Sequence, residues 1–107
     1  MSTLLLTHPV FLEHAPPEGH PERPDRLRAV NKILEHESFD SLIREEAPRG
    51  DPDDVLRAHP ADYLHMLEQS VPDSGLEPLD PDTWMGPKSL EAAMHAVGAG
   101  TRAVDAV

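Results

Sequence analysis

Histidine and carboxylate side chains are the groups in this chain that could bind a metal or transfer a proton, and there are seven histidines and 20 acidic residues. Helical zinc sites usually take two ligands one turn apart, and catalytic zinc sites recruit two or three histidines or carboxylates. The histidines stand at positions 8, 14, 20, 36, 59, 65 and 95, without an HxH, HxxxH or HExxH pattern. This spacing favours histidines that pack or face solvent over a local metal site.

Composition excludes several other chemistries. A chain without cysteine has no disulfide, no thiolate zinc site and no cysteine nucleophile. A net charge of −11 argues against binding to a phosphate backbone, and one Trp, one Tyr and two Phe are too few to stack nucleic-acid bases. The apolar run Leu4–Leu6 is too short for a signal peptide or a membrane span, so a cytoplasmic location is predicted.

The densest group of charged residues lies in the segment Gly19–Leu27, which reads GHPERPDRL. Pro21 and Pro24 fix the backbone just before a helix, and Gly19 permits dihedral angles that other residues avoid. A segment this stiff can hold an imidazole and a guanidinium in fixed directions, as the wall of a binding pocket requires. The same residues also suit a proline-marked helix start with surface charges, and their types alone do not separate the two interpretations.

Hydrophobic patterning predicts a strand, a helix and a second strand in the first half of the chain. Residues 3–7 form a short apolar run, typical of a strand buried on both faces. Residues 8–23 predict a long loop without regular structure, and a helix is predicted from Pro24 to near Ser38. The buried face of that helix should comprise Leu27, Val30, Ile33 and Leu34. Residues 42–47 predict a second strand, which completes a right-handed βαβ unit with parallel strands.

The second half is predicted to be mainly helical. Asp51 and Pro52 suit the cap and first position of a helix, and another helix should follow His59 and Pro60. Its apolar face would contain Tyr63, Leu64 and Leu67. Residues 71–86 predict a second long loop, and a last helix should begin at Pro87. Its predicted buried stripe is Leu90, Ala93, Met94, Val97, Thr101 and Val104, beside small residues at 92, 96, 99, 100 and 103 that suit close packing.

The predicted elements do not complete a sheet. Two parallel strands are not an expected free-standing fold, and nothing else in the chain is predicted to flank the second edge of the first strand. The last helix also reaches the end of the sequence without a glycine cap or a proline stop. The pattern therefore predicts the front part of a larger α/β domain. An open strand edge of this kind is a template for pairing with a partner or a second copy of the chain.

The stretch Thr7–Val30, THPVFLEHAPPEGHPERPDRLRAV, resembles the N-terminal segment of the histone deacetylase superfamily. It is most similar to bacterial class II-type amidohydrolases and the related acetoin-utilisation and acetylpolyamine amidohydrolases, with GHPERPDRL as the specific part. Residues Val55–Tyr63 are similar to the family's "L..VH...Y" segment. Residues Leu79–Thr83 and Pro87–Ala93 are similar to its "LD.DT…P.S…AA" segment.

This resemblance implies an α/β fold of the arginase/deacetylase type, with three layers and a central parallel sheet flanked by helices. Residues 1–107 would be its helix-rich N-terminal portion. It also implies a reaction in which zinc polarises an amide carbonyl and activates water while a histidine acts as general base. The family's tandem catalytic histidines, Asp/His/Asp zinc ligands and transition-state tyrosine lie downstream of the matched region. The resemblance thus implies no catalytic residue and no bound zinc in this segment, which should be inactive alone.

Supporting positions of the family do carry over, namely His20, Pro21, Arg26 and Asp82. His20 and Pro21 match the loop that lines one side of the substrate tunnel. Arg26 matches an arginine beside the internal cavity below the zinc, although it could instead pair with Glu22 or Asp25 across a helix turn. Asp82, or the residue after it, falls near the rim position that hydrogen-bonds the substrate backbone, although it could simply cap a turn.

Two functions are therefore predicted, with a small histidine-rich metal binder as a less favoured third. The first is the N-terminal part of a zinc-dependent deacetylase, which would act on an acetylated protein or a small acetylated amine through the full domain. The second is a non-catalytic module that binds a partner, or a second copy of itself, through the open strand edge. Neither hypothesis involves a nucleic acid or a membrane.

Overall fold

The computed structural model describes all 107 residues as four strands, four α-helices and two 3₁₀ helices. The strands are β1 (Leu4–Thr7), β2 (Ile43–Glu46), β3 (Glu77–Asp80) and β4 (Thr83–Met85). The α-helices are α1 (Pro24–Ile33), α2 (Pro52–Leu56), α3 (Ala61–Ser70) and α4 (Ser89–Ala106). The 3₁₀ helices are Pro9–Glu13 and Glu37–Phe39.

The first sheet is the predicted parallel pair. β1 and β2 run in register from Leu4 opposite Ile43 to Thr7 opposite Glu46, and α1 forms the crossover between them. All four residues of β1 are half-buried, whereas the Ile43 side chain of β2 remains 52% exposed. The βαβ prediction is therefore confirmed, and β1 is the more buried of its two strands.

The second sheet was not predicted. β3 and β4 form an antiparallel hairpin within residues 71–86, for which the sequence predicts a loop. The pairing is irregular between Pro78 and Asp80, and the Asp80 Oδ1 atom accepts the backbone N–H of Asp82 at 2.8 Å across the turn. Pro78 removes one possible donor from the ladder, but an edge position in a two-stranded hairpin tolerates that loss. The prediction of a loop over residues 71–86 is therefore wrong.

The long loop after β1 contains a 3₁₀ helix where none was expected. Pro9 takes its first position, and the Nδ1 atom of His8 caps it by accepting the Val10 N–H at 3.0 Å. The Val10 side chain is 6% exposed and belongs to the core. Of the predicted loop, His8 and residues 14–23 are irregular, and Gly19 adopts a φ of 87° there, in the region that favours glycine.

α1 begins at Pro24 as predicted but ends at Ile33 rather than near Ser38. Its predicted buried face is wrong in part, because Val30 and Ile33 are 52% and 64% exposed. No residue of α1 is fully buried, so the periodicity marks an apolar face that the chain leaves largely uncovered.

α2 and α3 begin where their start signals place them. The Asp51 Oδ1 atom accepts the Asp53 N–H at 2.9 Å and caps α2, which confirms the predicted start. In α3, Leu64 is buried, but Tyr63 is 42% exposed and stacks on His59 with 5.1 Å between ring centroids. Tyr63 is therefore not a core residue.

α4 begins at Ser89 rather than at the predicted Pro87, and it packs mainly through small residues, with Met94 as the one large buried side chain. Its buried residues are Ser89, Ala92, Met94 and Gly98. A Cβ atom on Gly98 would lie only 1.8 Å from the Pro48 carbonyl oxygen, and the Gly50 N–H donates to the Met94 carbonyl at 2.8 Å. The predicted stripe is wrong at Ala93, Thr101 and Val104, which are exposed, because the helix lies directly on the backbone that follows β2. Neither α4 nor any other helix has the length and apolar character to cross a membrane.

The molecule exposes more surface than its mass requires. Its accessible area is 7580 Å², whereas a compact monomer of 11.8 kDa exposes about 5,900 Å². Its radius of gyration is 15.4 Å, compared with about 13 Å for a compact domain of this length. Only 10 of 107 residues are buried. These elements alone therefore enclose a small core and leave apolar faces uncovered.

Candidate functional site

His20 and Asp82, two of the four predicted site residues, are in contact. The His20 Nε2 atom lies 3.0 Å from the Asp82 carbonyl oxygen and 3.0 Å from its Oδ1 atom. The His20 Nδ1 atom accepts the Glu22 N–H at 3.0 Å. The His20 side chain is 14% exposed, whereas that of Asp82 is 91% exposed. The loop after β1 thus meets the β3–β4 turn at these two residues.

A second histidine attaches the same loop to the start of α4. The His14 Nδ1 atom lies 2.7 Å from Ser89 Oγ, which accepts the Gly86 N–H at 2.8 Å. On its other side, the His14 Nε2 atom lies 3.9 Å from a Glu22 carboxylate oxygen. Sequence reasoning missed this contact because it joins single polar residues 75 positions apart, without a local pattern.

Arg26 lies on the first turn of α1, beside an open cleft of about 390 Å³. It pairs with neither predicted carboxylate, since Asp25 binds Arg28 at 2.8 Å and Glu22 faces His14. The guanidinium is therefore available to the cleft. The lining residues are Phe11, His14, Glu22, Arg23, Pro24, Arg26, Leu27 and Val30. Pro21 follows His20 and is exposed outside this lining.

Two ionisable groups at the contact between the loop and the turn have shifted pKa values. Burial lowers the pKa of His20, but the hydrogen bonds to Asp82 and the charges of Asp82 and Glu22 outweigh it, so that the pKa lies above its ordinary 6.5. The Asp82 backbone N–H and the Thr83 hydroxyl hold the pKa of Asp80 below its ordinary 3.8. The β3–β4 turn therefore favours the ionised form of Asp80, whose carboxylate accepts the Asp82 N–H across the turn.

Another pair of histidines lies at the carboxyl ends of the parallel strands. The rings of His8 and His95 lie with their centroids 3.9 Å apart and their planes tilted by 33°, and His8 Nε2 lies 3.3 Å from a Glu46 carboxylate oxygen. The two His95 nitrogens contact the Ala47 carbonyl at 2.9 Å and Glu91 at 3.2 Å. These contacts join α4 to the ends of β1 and β2.

The side chains described above do not fit a zinc site. No three histidine, aspartate or glutamate side chains converge closely enough to hold a metal ion. The imidazole nitrogens of His8, His14, His20 and His95 instead contact backbone groups, a hydroxyl or carboxylates. What the arrangement offers is a set of oriented hydrogen-bonding groups beside a cleft with an arginine.

The fold is similar to that of one solved domain, and the sequence is similar to those of several curated proteins. The solved HDA15 HD domain superposes on 92% of this chain with a TM-score of 0.79 and 22% identity, which covers 30% of that structure. A histone deacetylase-like amidohydrolase of Pseudomonas aeruginosa is 34% identical over 105 residues, which are 95% of this chain and 27% of that protein. A probable deacetylase of Archaeoglobus fulgidus is 30% identical over 110 residues, 100% of this chain and 30% of that protein.

These likenesses define the molecule first by its fold, as an α/β protein whose elements match part of the solved HDA15 HD domain. The family model described as the histone deacetylase domain matches residues 20–107. The chain belongs to the histone deacetylase family, as the GHPERPDRL segment indicates. It spans less than a third of the length of these relatives.

Proposed function

We propose that this chain forms the N-terminal part of a zinc-dependent deacetylase domain that hydrolyses N-acetyl-lysine or small acetylated amines in the cytoplasm. In this proposal it supplies part of the substrate-tunnel wall through His20, Pro21 and Asp82, and a cavity residue through Arg26. The chain is inactive alone, because no set of its side chains fits a zinc ion.

One observation carries the proposal. The loop and turn residues that match tunnel and rim positions of the family, His20 and Asp82, are 62 positions apart and yet share two contacts of 3.0 Å. A chance resemblance in two separate motifs would not require those motifs to meet. Their contact supports the interpretation that both segments border one substrate path.

The uncovered surface supports the second half of the proposal, that other parts of a deacetylase domain complete this one. The excess of accessible area over a compact monomer is about 1,700 Å². A standard protein interface buries about 800 Å² on each partner, so the excess is large enough for an extensive packing surface. Apolar residues on it include Val30, Ile33, Ile43 and Leu56.

The test begins with the purified 107-residue chain. Elemental analysis should find much less than one zinc per chain, and neither an acetyl-lysine peptide nor an acetylated diamine should be hydrolysed. The same assays on a polypeptide that also carries the remaining family domain should give one zinc and turnover. Stoichiometric zinc with hydrolysis by residues 1–107 alone would contradict the proposal.

Arg26 provides a residue-level test in that longer polypeptide. Arg26→Ala should retain zinc but lose turnover, because the free guanidinium of the cleft is removed while no metal ligand changes. Arg28→Ala is the matched control, since its guanidinium is paired with Asp25 on the same helix and lies outside the cleft lining. Equal kinetics in the two variants would remove Arg26 from the site.

The open sheet favours a second candidate function, a scaffold that binds through a strand edge. The parallel sheet has only two strands, so each has an edge without a partner. Light scattering of the purified chain would then show concentration-dependent dimers, and Ile43→Lys on β2 would reduce them. A monomer at all concentrations would exclude self-association through this edge.

A further inference from the structure

The imidazole of His20 is held on both sides by atoms that determine where its proton resides. Its Nδ1 atom accepts the Glu22 N–H at 3.0 Å, and this bond requires a lone pair on Nδ1. The remaining proton of the neutral ring is therefore on Nε2. From there it is shared between two acceptors, the Asp82 carbonyl oxygen and Oδ1, each 3.0 Å away. His20 is thus an oriented donor to Asp82.

The arrangement holds Asp82 in place but leaves one of its carboxylate oxygens without a hydrogen-bond partner. Its backbone N–H donates to Asp80 Oδ1 at 2.8 Å, its carbonyl and Oδ1 accept from His20, and its Oδ2 atom has no partner within the chain. The side chain is 91% exposed, so packing does not hold it in place. An exposed carboxylate would otherwise sample several rotamers, and the contact with His20 is what restricts it.

We infer that His20 is a positioning residue that holds the Asp82 carboxylate with one oxygen free to accept a backbone N–H of an acetylated peptide. This inference rests on the proposed deacetylase function for its substrate, but the contact itself does not depend on that function. An acceptor already fixed before binding saves the cost of immobilising its side chain, about 0.5–1.5 kcal/mol or roughly two- to tenfold in affinity.

The charged neighbours give the contact a pH signature. Asp82 and Glu22 are the carboxylates that raise the pKa of His20, and Glu22 also lies 3.9 Å from the Nε2 atom of His14. Removing the Asp82 charge should therefore lower the pH midpoint of His20. A histidine that only fills space in the loop would not respond to Asp82 in this way.

Solution NMR of the 107-residue chain tests the inference without any need for turnover. Ring nitrogen shifts should place the neutral His20 proton on Nε2, and Asp82→Asn should move the His20 midpoint down towards its ordinary 6.5. In His20→Ala the two Hα–Hβ couplings of Asp82 should converge to rotamer-averaged values. His20→Gln, whose amide can replace the Nε2–H donor, should keep them distinct.

His36 supplies the matched control. Its Nδ1 atom accepts the Ser38 N–H at 3.1 Å, the same local bond that His20 makes to Glu22, but no remote acceptor faces its ring. His36→Ala should therefore leave the Asp82 couplings unchanged. Unchanged couplings in His20→Ala, or an unchanged His20 midpoint in Asp82→Asn, would overturn the inference. If both change while the longer polypeptide shows no deacetylation, the proposed function fails and the positioning of Asp82 stands.

Discussion

Gly98→Ala is expected to destabilise the chain although alanine is the better helix former. The new Cβ would lie 1.8 Å from the Pro48 carbonyl oxygen, 2.7 Å from the Pro48 carbonyl carbon and 2.9 Å from the Gly50 nitrogen. All three are backbone atoms, so no side chain can rotate away, and α4 must move off the segment after β2. Overpacking costs about 1–3 kcal/mol, and loss of the bond from Gly50 to the Met94 carbonyl adds about 1 kcal/mol.

The higher helix propensity of alanine offsets part of this loss, because replacing glycine by alanine within a helix adds about 0.8–1.0 kcal/mol to the free energy of unfolding. The net expectation is a decrease of about 1–3 kcal/mol in the free energy of unfolding. Gly100→Ala on the same helix is the matched control, because a Cβ there meets nothing within 4 Å. It should gain about 0.5–1 kcal/mol. Urea denaturation followed by circular dichroism measures both, and equal stability of the two variants would refute the close-packing argument.

Other predictions concern a helix cap, an ion pair and a titration. Asp51→Ala should remove the α2 cap and cost about 0.5–2 kcal/mol, while Asp53→Ala should cost less; thermal denaturation compares them. The half-exposed bidentate pair of Arg102 with Glu45, at 2.9 and 3.1 Å, should show a coupling of about 0.2–1 kcal/mol in a double-mutant cycle. That coupling should shrink at high salt, and a salt-independent value would contradict a screened pair. Since the folded pKa of His20 is raised, its stabilisation is complete below pH 6.5 and is lost as pH rises through the folded value. His20→Gln should remove this part of the pH dependence, and an identical stability profile would contradict it.

The βαβ unit and the starts of α1, α2 and α3 could be predicted because their signals are local. Pro24 and the Asp51–Pro52 pair favour a helix start through interactions within the first helical turn. The apolar run of β1 can likewise be recognised without knowing its partner strand. The β3–β4 hairpin could not be predicted in this way, because prolines such as Pro78 and Pro81 are typical of loops. Its pairing depends on the turn that Asp80 closes, and on contacts that no periodicity reports.

The site was predictable as a set of residues but not as an arrangement. His20 and Asp82 could be named from motifs, whereas the bonds between them depend on how the loop after β1 folds over the hairpin. His14 and Ser89 carry no motif of their own and emerge only from their 2.7 Å contact. The buried face of α4 was predicted incorrectly in part for a related reason. The face that packs contains Gly98, which lets the helix backbone approach the backbone after β2, and hydrophobicity alone does not identify such a face.

The local turn shared by His8, His20 and His36 also affects how this histidine-rich chain meets metal ions in solution. In each, Nδ1 accepts the N–H of the residue two positions later, at 3.0, 3.0 and 3.1 Å. Coordination through Nε2 would require the opposite tautomer and would break that bond, at about 0.5–1.5 kcal/mol for each ring. Three of the seven imidazoles are thus weakened as chelators by hydrogen bonds from their own backbone.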